Sequence, residues 1–228
     1  MQKLDELAVE NGLPIEKMME RAGKHMLSVL KLRAILPPKT VCIVIGKGNK
    51  GGDGLSAAWH LLQNGYLVRI ILAEPKEELA VDARRRFDML ESLKFESMLY
   101  EEDVEKACRW IMHANVIIDA LIGYRLSGNP RDQYAALIKC INDAEDSEVI
   151  TYDIPTGLEP TTGACLSPCV RAQATLTLAL PKLGLVKKDG PDFSGKVIVA
   201  DLGIPSSTYD LLRPGSRPQF SNTGLLEL

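Results

Sequence analysis

The chain has no excess of basic residues. Its 228 residues carry 27 Lys and Arg against 30 Asp and Glu, a formal net charge of −3. That balance removes the electrostatic footprint of a nucleic-acid binder or a membrane-surface binder, and neither partner is expected. No apolar run reaches the roughly 20 residues of a transmembrane helix, and no charged-then-apolar leader opens the sequence. The expectation is a soluble, cytoplasmic protein. Zinc chemistry lacks its ligands: Cys165 and Cys169 lie four apart, but no second Cys or His pair stands nearby, so a structural role fits both. Cys42, Cys108 and Cys140 sit in apolar surroundings and read as ordinary core thiols. The histidines, His25, His60 and His113, fall in helical segments and read as packing or surface residues rather than catalysts. Internal repeats and low-complexity segments are absent.

What the chain does have is apolar content, 46% of it, enough for one compact domain with a good core. The residues at 41–45, Val-Cys-Ile-Val-Ile, are too few for a helix and read as a buried strand. Gly46, Gly48, Asn49, Lys50, Gly51, Gly52, Asp53 and Gly54 come next, before Ala57, Ala58, Leu61 and Leu62 restore a helical rhythm. Strand, glycine loop and helix together build a site for a phosphate or another anion, because glycine lets the backbone approach and the helix N-terminus offers free N–H groups. No Gly-Lys-Ser/Thr closes the loop, which excludes a Walker A P-loop. Gly46, Gly48 and Gly51 fit the dinucleotide pattern G-x-G-x-x-G, and Glu74 lies near where a ribose-binding acid would follow the second strand. A turn that uses glycine for geometry alone is the plainer reading. The amide, ammonium and carboxylate crowded among those glycines exceed what such a turn needs.

The rest of the chain supplies the frame. Residues 2–10 have helical spacing, Asn11-Gly12 stops them, and Pro14 opens a second helix through Met18, Met19, Ala22, Met26, Val29 and Leu30, so that 1–36 forms N-terminal helices. The methionines read as fillers of core or dimer gaps. Strands are expected at 67–72, 95–99, 116–118 and 149–152, and helices at 78–93 and 104–112. Arg84, Arg85 and Arg86 read as a solvated face. This alternation specifies a doubly wound α/β core over 41–205 with a mainly parallel sheet, followed by a tail, 206–228, with an irregular or loosely docked end. Ligands of such sheets sit beyond the carboxyl ends of the strands, where Asp119 and Asp153 stand.

Five segments occur in order: Gly48 to Gly54; Asp119-Ala120-Leu121-Ile122-Gly123 with Leu126-Ser127-Gly128; Asp153-Ile154-Pro155-Thr156-Gly157-Leu158; Thr175 and Thr177 with 179–185; and Asp201-Leu202-Gly203-Ile204-Pro205. With Leu4-Asp5 and Met19-Glu20-Arg21-Ala22-Gly23, this set resembles the NAD(P)H-hydrate epimerase family, also called the YjeF N-terminal domain, over nearly the whole chain. The resemblance implies a Rossmann-like three-layer α/β/α sandwich, often dimeric, with a potassium ion beside the substrate. It implies a repair activity: NADH and NADPH take up water across the nicotinamide ring, and the family interconverts the R and S forms of the hydrate so that a dehydratase can restore the S form. The chain ends soon after Ile204-Pro205, so a separate dehydratase is expected as its pathway partner.

Carried over residue by residue, the resemblance assigns substrate binding to Asn49, Lys50, Gly51, Gly52 and Asp53. It assigns a second substrate loop to Gly123, Tyr124, Arg125, Leu126, Ser127, Gly128 and Asn129, and substrate contact to Asp153. Potassium is expected at Asp119, at Thr156, where the family usually has serine, and at position 50. Hard oxygen donors suit an alkali cation. The chain departs from the family at Lys50, where a second asparagine is usual. An ammonium repels a cation, by roughly 4 kcal/mol at about 4 Å and an effective dielectric near 20, so the Lys50 ammonium is expected to stand in for potassium between Asp119 and Thr156. Tyr124-Arg125 replaces a small pair, and Glu159-Pro160 replaces an Asp and a small residue. Epimerisation needs proton traffic without redox change, which a partly desolvated carboxylate at a strand end can provide; Asp153 is the expected catalyst and Lys182 the second choice. Two other readings stand beside this one: a non-catalytic nucleotide-binding or scaffold module of the same fold, and an NAD-dependent dehydrogenase, for which the substrate domain and hydride-transfer acid or base are not visible.

Overall fold

The computed structural model describes residues 2–124 and 126–228. Two helices open the chain, α1 (Gln2–Glu10) and α2 (Ile15–Leu32), with Leu4 and Ala8 of the first buried and Met18, Met19, Ala22, Met26 and Leu30 forming the inward stripe of the second. Then come β1 (Thr40–Ile45), α3 (Asn49–Gln63), β2 (Leu67–Leu72), α4 (Val81–Leu90), β3 (Glu96–Leu99), α5 (Val104–Met112) and β4 (Val116–Ala120). They are followed by α6 (Asp132–Asn142), β5 (Glu148–Tyr152), β6 (Ala174–Leu178), α7 (Gly190–Ser194), β7 (Lys196–Ala200), α8 (Ser206–Asp210) and β8 (Leu225–Glu227).

The strands form one sheet in the order β3-β2-β1-β4-β5-β6-β7-β8, parallel throughout except for the antiparallel pair β7–β8. Alternate residues of β1 serve opposite faces. Val41, Ile43 and Ile45 join the apolar cluster built with α2, α3 and α4, while Cys42 and Val44 join the cluster built with α5 and α6. A sheet buried on both sides by helices is the three-layer sandwich, and it explains the apolar runs of β1 and of β4 up to Asp119. Strand order reverses between β1 and β4, which makes their carboxyl ends the switch point of the sheet. No helix among the described residues is long and apolar enough to cross a membrane.

Three expectations change. The helix expected over 78–93 is a 3-10 turn, Lys76–Glu78, followed by α4; Leu79 and Ala80 between them are extended, and the Ala80 N–H donates to the Lys47 carbonyl at 2.8 Å, which pins the break to the β1–α3 turn. The tail is docked: it forms α8 and then adds β8 to the edge of β7, with Leu225 opposite Ala200 and buried. The strand β7 would otherwise present unpaired backbone groups at the sheet edge, which is the reason a short segment covers it. Cys108 and Cys140 are not core thiols but a disulfide between α5 and α6, which pack side by side; Cys42 is a buried free thiol as expected. The arginine cluster keeps its expected solvated face at Arg84 and Arg85 and pairs there with acids of the neighbouring helix α2, Arg85 3.2 Å from Glu16 and the more covered Arg86 2.9 Å from Glu20.

Candidate functional site

β1 runs through Gly46, Lys47 and Gly48 directly into α3, so the expected loop at 49–54 is already helix. The glycines are there for proximity. A Cβ on Gly51 would lie 2.0 Å from the Gly46 carbonyl oxygen, and one on Gly54 would lie 2.6 Å from the Ala120 Cβ. Their absence of side chains lets the first turns of α3 rest on the ends of β1 and β4. The unpaired N–H groups and positive dipole end of the helix therefore open onto the switch point.

A cavity of about 490 Å³ lies there. Its wall includes Asn49, Lys50 and Asp53 of α3, Gly123 and Tyr124 after β4, and Asp153 after β5. Met18 and Met19, expected to fill core or dimer gaps, form part of the same wall. Gly51 and Gly52 are buried behind it, Gly52 against Met19. Leu126, Ser127, Gly128 and Asn129 are not among the described lining residues, and the last three are exposed. Arg125 lies outside the described residues. Glu74 does not line the cavity; it sits just past β2, with its carboxylate 3.9 Å from Lys47.

Lys50 reaches from α3 beneath the cavity into a cage of oxygens. Its Nζ lies 2.9 Å from Asp119 Oδ2, 3.0 Å from Thr156 Oγ1, 3.0 Å from the Ile154 carbonyl, and 3.2 Å from both Thr151 Oγ1 and the Ile122 carbonyl. Asp119, on β4, is fully buried and does not touch the cavity directly. Its Oδ1 accepts from the Leu121 N–H at 3.1 Å and the Thr156 hydroxyl at 2.7 Å, and its Oδ2 accepts from the Thr151 hydroxyl at 2.6 Å and the Thr156 N–H at 2.9 Å. Burial alone would raise the Asp119 pKa; the Lys50 charge and the donated hydrogen bonds outweigh it and hold the carboxyl below its ordinary range. Burial lowers the Lys50 pKa, against the opposing pull of Asp119. The donor set is that of a hard cation, but the ammonium already holds the position, and a potassium ion does not fit beside it. Among the described residues no cluster of three or more His, Cys, Asp or Glu offers another metal site.

Asp153 stands one residue past β5 with φ of +63°, a left-handed conformation rare outside glycine. The neighbouring strand β6 and the segment after it hold it there: its N–H donates to the Leu176 carbonyl at 2.8 Å, and its Oδ1 accepts from the Leu178 N–H at 3.2 Å and from Lys182 Nζ. Lys182 Nζ also donates to the Leu178 carbonyl at 2.9 Å. Both side chains are buried, and Lys182 too lines the cavity. Two further carboxyls face this pair. Burial, reinforced by the negative charges of Asp153 and Asp5, lifts the Asp53 pKa well above its ordinary value. Burial likewise raises that of Asp5, opposed by Lys182 and reinforced by Asp153, while the Tyr124 hydroxyl donates to Asp5 Oδ2 at 3.3 Å.

Sequence reasoning missed Asp5 and Tyr134, both lining residues. Asp5 belongs to a helix far from the core motifs, and only the Leu4-Asp5 match hinted at it. Tyr134 had no signal; it lies on α6 with its phenol pKa pushed up by burial and by neighbouring Glu74. His25, His60 and His113 do not line the cavity.

Fold and site together define a doubly wound α/β domain whose ligand cleft joins a helix N-terminus to buried carboxylates. The model of the family described as YjeF-related protein N-terminus matches residues 15–184, and the chain belongs to that family. It is 37% identical over 210 residues to the bifunctional NAD(P)H-hydrate repair enzyme Nnr of Moorella thermoacetica, covering 90% of this chain and 39% of that one. It is 34% identical over 212 residues to the NAD(P)H-hydrate epimerase of Dehalogenimonas lykanthroporepellens, covering 92% of this chain and 82% of the relative. The chain thus spans about two-fifths of the length of the bifunctional relatives, 39% of that from Moorella thermoacetica and 41% of that from Salinibacter ruber. The crystal structure of the yeast protein ynu0 shares the fold, with a TM-score of 0.80 over 95% of this chain and 91% of that one at 19% identity.

Proposed function

We propose that the chain interconverts the R and S forms of hydrated NADH and NADPH, with Asp153 as the group that carries the proton. The observation that supports this most is the sharing of one cavity by the N-terminal turn of α3 and the buried carboxylate of Asp153. The first suits a pyrophosphate; the second suits proton transfer at the nicotinamide end. The relatives named as hydrate repair enzymes and as an epimerase point the same way.

The hydrated ring carbon bears a hydroxyl and the ring nitrogen. Loss and re-addition of water, or ring opening and closure, scrambles its configuration, and either route moves a proton on and off one of those atoms. Asp153 is the mobile-proton carboxylate. Lys182 fixes its orientation and supplies the compensating charge. Asp53, whose carboxyl burial shifts toward the protonated form, faces the substrate as a hydrogen-bonding group, and Asn49 with the α3 N–H groups binds its pyrophosphate. Gly123 and Tyr124 complete the wall beside Lys50.

The finer assignments belong to the same reading: one domain, a homodimer, a cytoplasmic setting, and a dehydratase as the consumer of the S form. A coupled assay tests the function. With a dehydratase specific for the S hydrate, a mixed R and S pool is consumed completely when this protein is added and stalls at the R fraction without it. Persistence of the R form at the uncatalysed rate would reject the proposal.

A further inference from the structure

We infer that the Lys50 ammonium is a built-in monovalent cation: it fills the oxygen cage formed by Asp119, Ile122, Thr151, Ile154 and Thr156, and the protein binds no potassium there. All five oxygens facing Nζ act as acceptors. The two carbonyls have no proton to give. The Thr151 and Thr156 hydroxyls give theirs to Asp119, at 2.6 Å and 2.7 Å, so they turn lone pairs toward the amine. A neutral amine would have a lone pair with no donor to meet it. An ammonium has three protons for these five acceptors. A surplus of oxygens around one positive point is the arrangement of a spherical ion site, here closed by a side chain of the chain itself.

The cage also ties three segments together. Lys50 comes from the first turn of α3, Asp119 from β4, and Thr151, Ile154 and Thr156 from β5 and the turn after it. Asp153 lies within that turn, and Gly123 packs its backbone over the Lys50 stem, where an added Cβ would lie 3.5 Å from the Lys50 Cβ. The one cation thus holds the floor of the cavity and the approach of Asp153 to it. Because the charge is covalently tethered, it does not depend on the ionic composition of the solution. Its bearing on catalysis rests on the epimerase reading; the cation chemistry does not.

The test compares unfolding midpoints in potassium chloride and choline chloride at equal ionic strength, for the full chain and for Lys50→Ala and Lys50→Asn. The unaltered protein should show coincident midpoints. In the variants, the emptied cage should take potassium, with a saturable rise of roughly 5–10 °C at a hundredfold excess over Kd. Crystals of the unaltered protein soaked in rubidium or thallium salt should show no anomalous peak among the five oxygens. A saturable, potassium-specific rise in the unaltered protein, an anomalous peak beside Nζ, or a folded variant indifferent to potassium would each overturn the inference. Variants that fold only in potassium chloride support it. If neither variant folds in either salt, the midpoints and the soaked crystals of the unaltered protein decide. None of these readouts uses the hydrated nucleotide, so they stand apart from any failure of the epimerase assay.

Discussion

Lys182, four residues past β6, donates to the carboxylate of Asp153, one residue past β5, and the two side chains are only 5% and 8% exposed. Two adjacent parallel strands thus deliver an acid and its counter-charge to one point of the cavity wall, with the acid in a left-handed conformation that the β6 backbone holds through Leu176 and Leu178.

Asp153→Asn keeps the shape and the hydrogen bond accepted from the Leu178 N–H but cannot carry a proton. The account predicts loss of kcat by a factor of about 10²–10⁴ with little change in the binding of ADP-ribose or NADP. Steady-state kinetics beside calorimetric titration separates the two; unchanged turnover removes Asp153 from the mechanism.

Lys182→Met leaves a buried carboxylate without its partner. Breaking such a pair from one side costs about 3–5 kcal/mol, and urea unfolding reads it directly. Adding Asp153→Asn to the same chain should return much of the loss, because the orphaned charge is then gone. A single variant within experimental error of the unaltered protein would show that the pair is not closed off in solution.

The raised pKa of Asp53, due first to burial and then to Asp153 and Asp5, makes a signed prediction. Below the ordinary value of 3.8 both folded and unfolded states hold the proton. Above it the unfolded chain releases the proton while the folded chain retains it, so stability falls with rising pH until the folded pKa is passed, at no more than about 1.4 kcal/mol per pH unit. Asp53→Asn should therefore be more stable than the unaltered protein at pH near 7 and lose that advantage on acidification toward the ordinary carboxylate range. Chemical unfolding across pH checks it; an advantage that grows on acidification contradicts it.

Gly51→Ala places a methyl carbon 2.0 Å from the Gly46 carbonyl. The helix must move off the strand end, with an expected cost of roughly 1–3 kcal/mol and weaker nucleotide binding. Gly48→Ala, where an added Cβ meets nothing within 4 Å, is the matched control.

The frame was legible where burial is two-sided. β1, β4 and β5 announce themselves as short apolar runs, and Asp119 and Asp153 could be placed at their ends from the fold rule alone. The start of α3 was not legible, because Gly51, Gly52 and Gly54 have low helix propensity and read as loop; tertiary contact with β1 and β4 overrides that propensity. β8 was hidden for the opposite reason: Ser221, Asn222, Thr223 and Gly224 promise a turn, and only the open edge of β7 makes a strand of Leu225–Glu227. The Cys108–Cys140 bridge joins residues 32 apart on different helices, and nothing local marks it. At the site, the meeting of Lys50 with Asp119 followed from charge and family likeness. The meeting of Asp5 with Asp53 and Lys182 depends on where α1 docks, which the local pattern does not encode.

The most direct measurement is chiral chromatography of the separated R hydrate of NADPH incubated with the protein. The account predicts that the S form appears far faster than in buffer alone, and that the same final ratio is reached starting from S. An R hydrate that binds in the cavity and stays R at the uncatalysed rate would contradict it.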